Sequence, residues 1–257
     1  MERIELGHKS FLTFDKLREA GILHFTSTKQ GWGNDGLARF TGDSPEVYRS
    51  FRLELAHAFK LSPEQLIFPR QTHSNQVQVV SQPTETANLE ETDALITNQP
   101  NICLCVQTAD CVPILLFDPV QQVIAAVHAG WRGTVSKLVS KTIHEMQRSF
   151  DTFPEDIIAG IGPSIHLHVY EVGKDVIRAV RENFTEHRNL LKPAMADGKA
   201  YFDLWAANKA LMVEAGIPED QVEIMGLCTY SHESLFYSAR RDGVATGRMV
   251  SGIMLSE

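Results

Sequence analysis

The sequence predicts a mixed α/β fold whose sheets are partly antiparallel. Three observations lead there. Five short β-rich runs between residues 77 and 128 precede the first long central helix, whereas a pure βαβ chain would separate its strands by helices. Strand-like and helix-like segments then alternate to the end. Finally, 43% hydrophobic and 22% charged residues in 257 are the proportions of a folded chain, not a disordered one. No repeat or Pro/Gly/Ser-rich linker divides it, so one domain over residues 1–257 is expected.

The elements follow in order. Met1-Glu2-Arg3-Ile4-Glu5-Leu6 carries charges where a secretion signal needs an apolar stretch. His24–Thr28 reads as a strand. Ser44 followed by Pro45 opens a helix, with Ser as cap and Pro in the first turn, placing Val47, Phe51, Leu55 and Phe59 on one face. Val77–Val80, Ala94–Thr97, Ile102–Gln107, Val112–Phe117 and Val123–His128 are strands between turn residues, with Asp118-Pro119 a tight connection. Thr134 is positioned to cap a helix to Phe150, whose buried stripe is Leu138, Val139, Thr142, Ile143 and Met146. Ile157–Ile161 is a strand, Val172 to Phe184 a helix, and Asp203 to Ala215 a helix stopped at Gly216. Val222–Met225 and Met249–Leu255 close the sheets.

Composition narrows the function. Lys+Arg 24 against Asp+Glu 32 leaves a net charge of −8, which disfavours a nucleic-acid or anionic-membrane binder. No apolar run approaches the ~18–20 residues of a membrane span. Four cysteines, with Cys103, Cys105 and Cys111 crowded together, do not form a disulfide framework, so a reducing, cytoplasmic location is expected.

Most motifs have ordinary readings. Gly31-Trp32-Gly33-Asn34-Asp35-Gly36 matches a dinucleotide fingerprint, but no helix begins inside it, and a flexible surface loop fits better. His166-Leu167-His168 is one imidazole pair where a multicopper oxidase needs several, and solvated loop histidines explain it. Cys103 and Cys105 are core thiols.

Three residues resist that treatment. His73 stands in a polar loop, Cys111 at a polar break between apolar runs, and His128 at a strand end before Ala129-Gly130-Trp131-Arg132-Gly133. Each lies at a strand–loop junction, where side chains face clefts. A hairpin between Cys111 and His128 would return the chain to its start and let the two meet. Glycines at 130 and 133 would allow close backbone approach. Two chemistries use such a set. Zinc takes two imidazoles and one thiolate and leaves a fourth position open. Without metal, Cys111 is a nucleophile and His128 its base. Spacing does not choose between them.

The motifs resemble the YfiH-type family, also called laccase-domain or polyphenol oxidase proteins and reassigned as purine nucleoside phosphorylases. The resemblance is carried by Arg70-Gln71-Thr72-His73, Thr92-Asp93-Ala94-Leu95-Ile96-Thr97, Thr108-Ala109-Asp110-Cys111-Val112-Pro113-Ile114 and His128-Ala129-Gly130-Trp131-Arg132-Gly133. It continues through Gly160-Ile161-Gly162-Pro163-Ser164-Ile165, Tyr170-Glu171-Val172, Phe202-Asp203-Leu204, Cys228-Thr229 and Phe236-Tyr237-Ser238-Ala239-Arg240-Arg241-Asp242. At the front the match loosens, with Thr28-Lys29 in place of the family's Thr-Arg and Phe51-Arg52 in place of Asn-Arg.

That resemblance implies a four-layer α/β/β/α sandwich with zinc, or copper as the alternative, on His73, Cys111 and His128, which are also the catalytic positions. It implies phosphorolysis of adenosine, inosine and methylthioadenosine, with adenosine deamination besides. The partners it brings are purine nucleosides and phosphate, a homodimer, and neither nucleic acid nor membrane. Phosphate is a dianion and needs cationic donors, for which Arg52, Arg132, Arg240 and Arg248 are the candidates. The alternatives are a metal-free cysteine hydrolase or amidase on Cys111 and His128, resembling a deamidating toxin of related fold, and the polyphenol oxidase of the older name.

Overall fold

A computed structural model describes residues 1–32, 37–82 and 89–256. The chain opens with a hairpin, β1 (Glu2–Leu6) and β2 (Lys9–Thr13), followed by α1 (Asp15–Glu19), β3 (Leu23–Ser27) and α2 (Arg49–Phe59). The strand-rich middle comprises β4 (Leu66–Ile67), β5 (Val77–Val79), β6 (Ala94–Thr97), β7 (Cys103–Thr108), β8 (Val112–Asp118) and β9 (Val123–Ala129). Then come α3 (Trp131–Val135), α4 (Leu138–Phe150), β10 (Ile158–Ile161), β11 (Glu171–Val172), α5 (Lys174–Asn183) and α6 (His187–Leu190). The last third holds β12 (Leu191–Pro193), β13 (Ala200–Phe202), α7 (Leu204–Glu214), β14 (Val222–Ile224), α8 (Ala239–Asp242) and β15 (Met249–Met254).

Two six-stranded mixed sheets form, in the orders β1-β2-β3-β15-β7-β4 and β14-β10-β8-β9-β6-β5, beside a small sheet β11-β13-β12. Strand alternation stacks them. In the second sheet Leu95, Leu115, Ile124 and Ala126 face the first sheet's core. Their neighbours Ile96, Ile114, Leu116, Ala125 and Val127 face the core under α4, α5 and α7. On the far side of the first sheet, Phe59 of α2 lies on Phe11 and Phe25, with ring centroids 4.8 and 4.2 Å away. The order is helix, sheet, sheet, helices, as the resemblance implies. Among the described residues no helix is long and apolar enough to cross a membrane.

Several elements differ from expectation for local reasons. The segment after Ser44 is a short 3-10 turn, Pro45–Val47, broken at Tyr48 (φ −125°) before α2; Ser44 makes no side-chain cap and Val47 is exposed. Thr134 caps nothing: it lies inside α3, and α4 begins after Lys137, whose φ of 58° breaks the helix. The expected buried stripe of α4 is correct. Val172 belongs to a strand, and α5 starts beyond Gly173. Trp32 is buried, its Nε1–H donated to Thr28 O at 2.8 Å, so the glycine motif is not purely a surface loop there; residues 33–36 lie outside the described residues. The β1–β2 hairpin and the small sheet leave little strand signal in the sequence because their strands are short and partly polar.

Candidate metal centre

The β8–β9 hairpin sets the site. Its register pairs Val112 with Ala129 and Pro113 with His128, so Cys111, just before β8, lies beside the end of β9. Asp118 closes the hairpin, its Oδ1 accepting the N–H groups of Val120 and Gln121 at 2.8 and 3.0 Å. His73 arrives from a separate loop and takes a left-handed conformation, φ 61°. Ligand atoms of His73, Cys111 and His128 all lie within 4.8 Å of one another, and Cys111 Sγ is 3.6 Å from His73 Nε2. A tetrahedral ion with bonds of ~2.3 Å to sulfur and ~2.0 Å to nitrogen would separate those atoms by about 3.5 Å. The donor set therefore fits a metal without rearrangement of that pair.

Asp93, at the head of β6, organises the cluster. Its carboxylate accepts the backbone N–H groups of Thr72, His73 and Ser74 at 3.2, 3.1 and 2.7 Å, which fixes the His73 loop. The same carboxylate meets His128 Nδ1 at 2.7 Å, leaving Nε2 as the ligand atom. Burial alone would raise the Asp93 carboxyl, but the hydrogen bond and charge of His128, with the Ser74 donors, lower it to about 2. Burial would likewise raise the Cys111 thiol, yet the charge of His128 and hydrogen bonds from both histidines bring it down to about 6. For His128, burial is outweighed by the charge of Cys111 and the bond to Asp93, which raise it to about 9. A thiolate at neutral pH is the form that binds metal. Gly130 makes room: a Cβ there would sit 2.9 Å from both Cys111 Sγ and His73 Cδ2.

A second buried carboxylate, Asp110, gathers the C-terminal part of the chain. It accepts from Thr229 Oγ1 at 2.6 Å, Ser238 Oγ at 3.0 Å and the Arg240 N–H at 2.7 Å, with its own φ at 90°. This draws the start of α8 over the cluster. The resulting cavity, of about 460 Å3, has His73, Cys111 and His128 in its wall together with Tyr170, Arg240 and Arg248. A smaller recess of about 80 Å3 shares His73, Cys111 and Tyr170 and adds Trp131 and Arg132.

The four expected arginines are placed differently. Arg240 lies over the Tyr170 ring, 5.2 Å from its centroid, with Nη1 donated to Glu171 O at 2.9 Å. Arg132 lines the recess, its guanidinium over Trp131. Arg248 lines the main cavity, but its guanidinium donates to the carbonyls of Thr246, Gly247 and Val244 and so braces that loop. Arg52 is not among the described residues lining either cavity. It is packed between Tyr48 and Phe68 and bonded to Phe40 O at 2.6 Å. His166 is half-buried against Trp205, with ring centroids 4.4 Å apart, while His168 is exposed. Cys103 and Cys105 are fully buried on β7, as core thiols should be.

Residue reading assigned no role to Asp93, Asp110 or Tyr170. A signal existed for the two acids, since each stands directly before or within a polar break leading into a fully buried strand. A charge there needs partners.

The chain is similar to known proteins over nearly its whole length. The chain is 38% identical to a protein named purine nucleoside phosphorylase from Bacteroides thetaiotaomicron, over 97% of this chain and 96% of that one. It is 35% identical to one named adenosine deaminase RL5, from an unknown prokaryotic organism, over 91% and 94%. The crystal structure of the Bacillus licheniformis hypothetical protein YfiH superposes with a TM-score of 0.89 at 30% identity, over 98% of each chain. The family model described as multi-copper polyphenol oxidoreductase laccase matches residues 24–256, and the chain, with YfiH-type proteins as its relatives and neighbours, belongs to that family.

Proposed function

We propose that the protein is a zinc-dependent purine nucleoside phosphorylase that also deaminates adenosine. The observation that carries this reading is a three-ligand N,N,S cluster in the wall of a cavity that Arg240 borders, in a chain similar over nearly its whole length to proteins so named. Two imidazoles and one thiolate are a donor set suited to zinc with one position open, and a zinc ion held there would supply Lewis-acid positive charge to an anionic or polarised group.

The chain's own residues account for the rest. In phosphorolysis a phosphate oxygen forms a bond to C1′ of the ribose while the C1′–N9 bond breaks. The electron pair leaves with the purine, which takes up a proton. Arg240, with Arg132 at the recess, supplies charge-assisted donors to the phosphate. Tyr170 forms the wall between the two spaces, and burial raises its hydroxyl, keeping it a neutral donor. Asp93 orients His128, and Asp110 holds Arg240 at the cavity edge. The expectation for Arg52 as a phosphate contact is not carried forward.

A second reading has its own support. The lowered Cys111 thiol, the raised His128 and the Asp93 partner form the nucleophile–base–orienter series of a cysteine hydrolase. A multicopper oxidase has less, because among the described residues a single three-ligand cluster occurs. Chromatography of free purine base, with elemental analysis of the same sample, tests the proposal. Base release that requires phosphate, with about one zinc per chain, is expected. Equal release in phosphate-free buffer would show a hydrolase instead.

A further inference from the structure

A second cavity, of about 660 Å3, opens between α5 and the small sheet, and no residue lines both it and the metal site. Lys174, Arg178 and Arg181 face it from α5, Lys192 from β12, and Lys199 from the turn before β13; Glu182 is the one acid among the described residues lining it. Composition does not produce this cluster, for the chain as a whole carries eight more acids than bases.

The arrangement is built rather than scattered. Positions 174, 178 and 181 are spaced by four and three residues, which puts their side chains on one face of the helix. The core-facing side of the helix carries Val180, fully buried. Lys174 is the first residue of α5, at the positive end of the helix dipole, where a cation is disfavoured. Neutralisation by the protein is slight. The acids paired with Arg178 and Lys199 are the exposed Asp175 and the half-buried Glu171, each at 3.9 Å, and Lys174, Arg181 and Lys192 have no ion pair among the described residues. Five cations gathered at one opening repel one another, and an anion relieves that repulsion. Two guanidiniums offer the paired N–H geometry that matches phosphate oxygens. Ile177 and Leu191 supply an apolar floor, and the volume is that of a small-molecule site rather than of a single ion.

We infer that this cavity binds the polyphosphate chain of a nucleoside triphosphate, with its apolar floor under the nucleoside. The site is distinct from the phosphate and nucleoside positions of the catalytic cavity.

Calorimetric titration with ATP, and separately with inorganic tripolyphosphate, tests this at low ionic strength. ATP is expected to bind the wild-type chain and the Cys111→Ser chain alike, since the latter removes a metal ligand and with it any contribution from chelation. Arg178→Gln/Arg181→Gln/Lys192→Gln is expected to weaken ATP at least tenfold while leaving thermal unfolding and phosphorolysis unchanged, because all three side chains are exposed. Arg181→Gln alone should weaken it in the same direction. Tripolyphosphate should bind more weakly than ATP, and equal affinity would overturn the nucleoside part of the assignment. Absence of saturable binding overturns the whole, as does binding that survives the triple substitution but is lost in Arg240→Ala.

Discussion

Asp93 holds His128 twice: its carboxylate meets the imidazole Nδ1 at 2.7 Å, and its backbone carbonyl accepts the His128 N–H at 2.8 Å. A residue at the head of one strand thus sets both the position and the tautomer of a candidate ligand at the end of the strand paired with it. Because the same carboxylate also binds the His73 loop, one acid orients two of the three candidate ligands.

The first prediction concerns pH and uses chelator-treated protein. The folded value of Asp93, about 2, lies below the unfolded value of about 3.9. The folded state therefore binds fewer protons between those values. The stabilisation is complete above roughly pH 5 and is lost as pH falls toward 2, a contribution of about 2–3 kcal/mol. Denaturant melts across that window should show Asp93→Asn less stable at pH 7 and flatter in its pH dependence. An unchanged slope would mean that folding does not shift the Asp93 carboxyl.

Asp93→Asn should also weaken metal binding by about 10- to 100-fold, the usual effect of removing a partner that orients a ligating histidine. Competition with a metal indicator measures this directly. Full affinity would show that orienting His128 does not require the charge of the carboxylate.

Cys111→Ser is expected to lower metal content and turnover together, whereas Cys103→Ser and Cys105→Ser retain both. Sulfur binds zinc as a thiolate, and a serine hydroxyl stays protonated. The core positions cost packing instead, which thermal unfolding reads. If Cys111→Ser keeps its metal yet loses all activity, sulfur is the nucleophile and the hydrolase reading takes over.

Arg240→Ala should raise the phosphate KM at unchanged metal content, by about tenfold for one charge-assisted contact. Its backbone N–H still reaches Asp110, so α8 stays docked. Phosphate saturation identical to wild type would place Arg240 with the structural arginines.

Gly130→Ala inserts a methyl 2.9 Å from Cys111 Sγ and His73 Cδ2. Loss of metal with little loss of stability in the metal-free protein is the expected outcome, since the surrounding hairpin is otherwise untouched. Retained metal would show that the His73 loop yields easily.

How much of this was legible beforehand depended on distance along the chain. Cys111 and His128 are joined by one hairpin, and hydrophobic runs with an Asp-Pro turn are enough to foresee that they meet. The buried stripe of α4 followed from helical periodicity, and the inert character of Cys103 and Cys105 from strand alternation. Local pattern determined these because the interactions themselves are local. His73 was named from its motif, but its place in the cluster comes from Asp93, twenty residues away, pinning a left-handed loop that no periodicity encodes. The sorting of the arginines is more remote still. Arg240 reaches the cavity through Asp110, 130 residues earlier, while Arg52 is captured by two aromatic rings and a carbonyl. In sequence the two are simply arginines. Only tertiary structure decides which guanidinium is enclosed by neighbouring groups and which borders the cavity, because that depends on partners brought together by the folding of the whole chain.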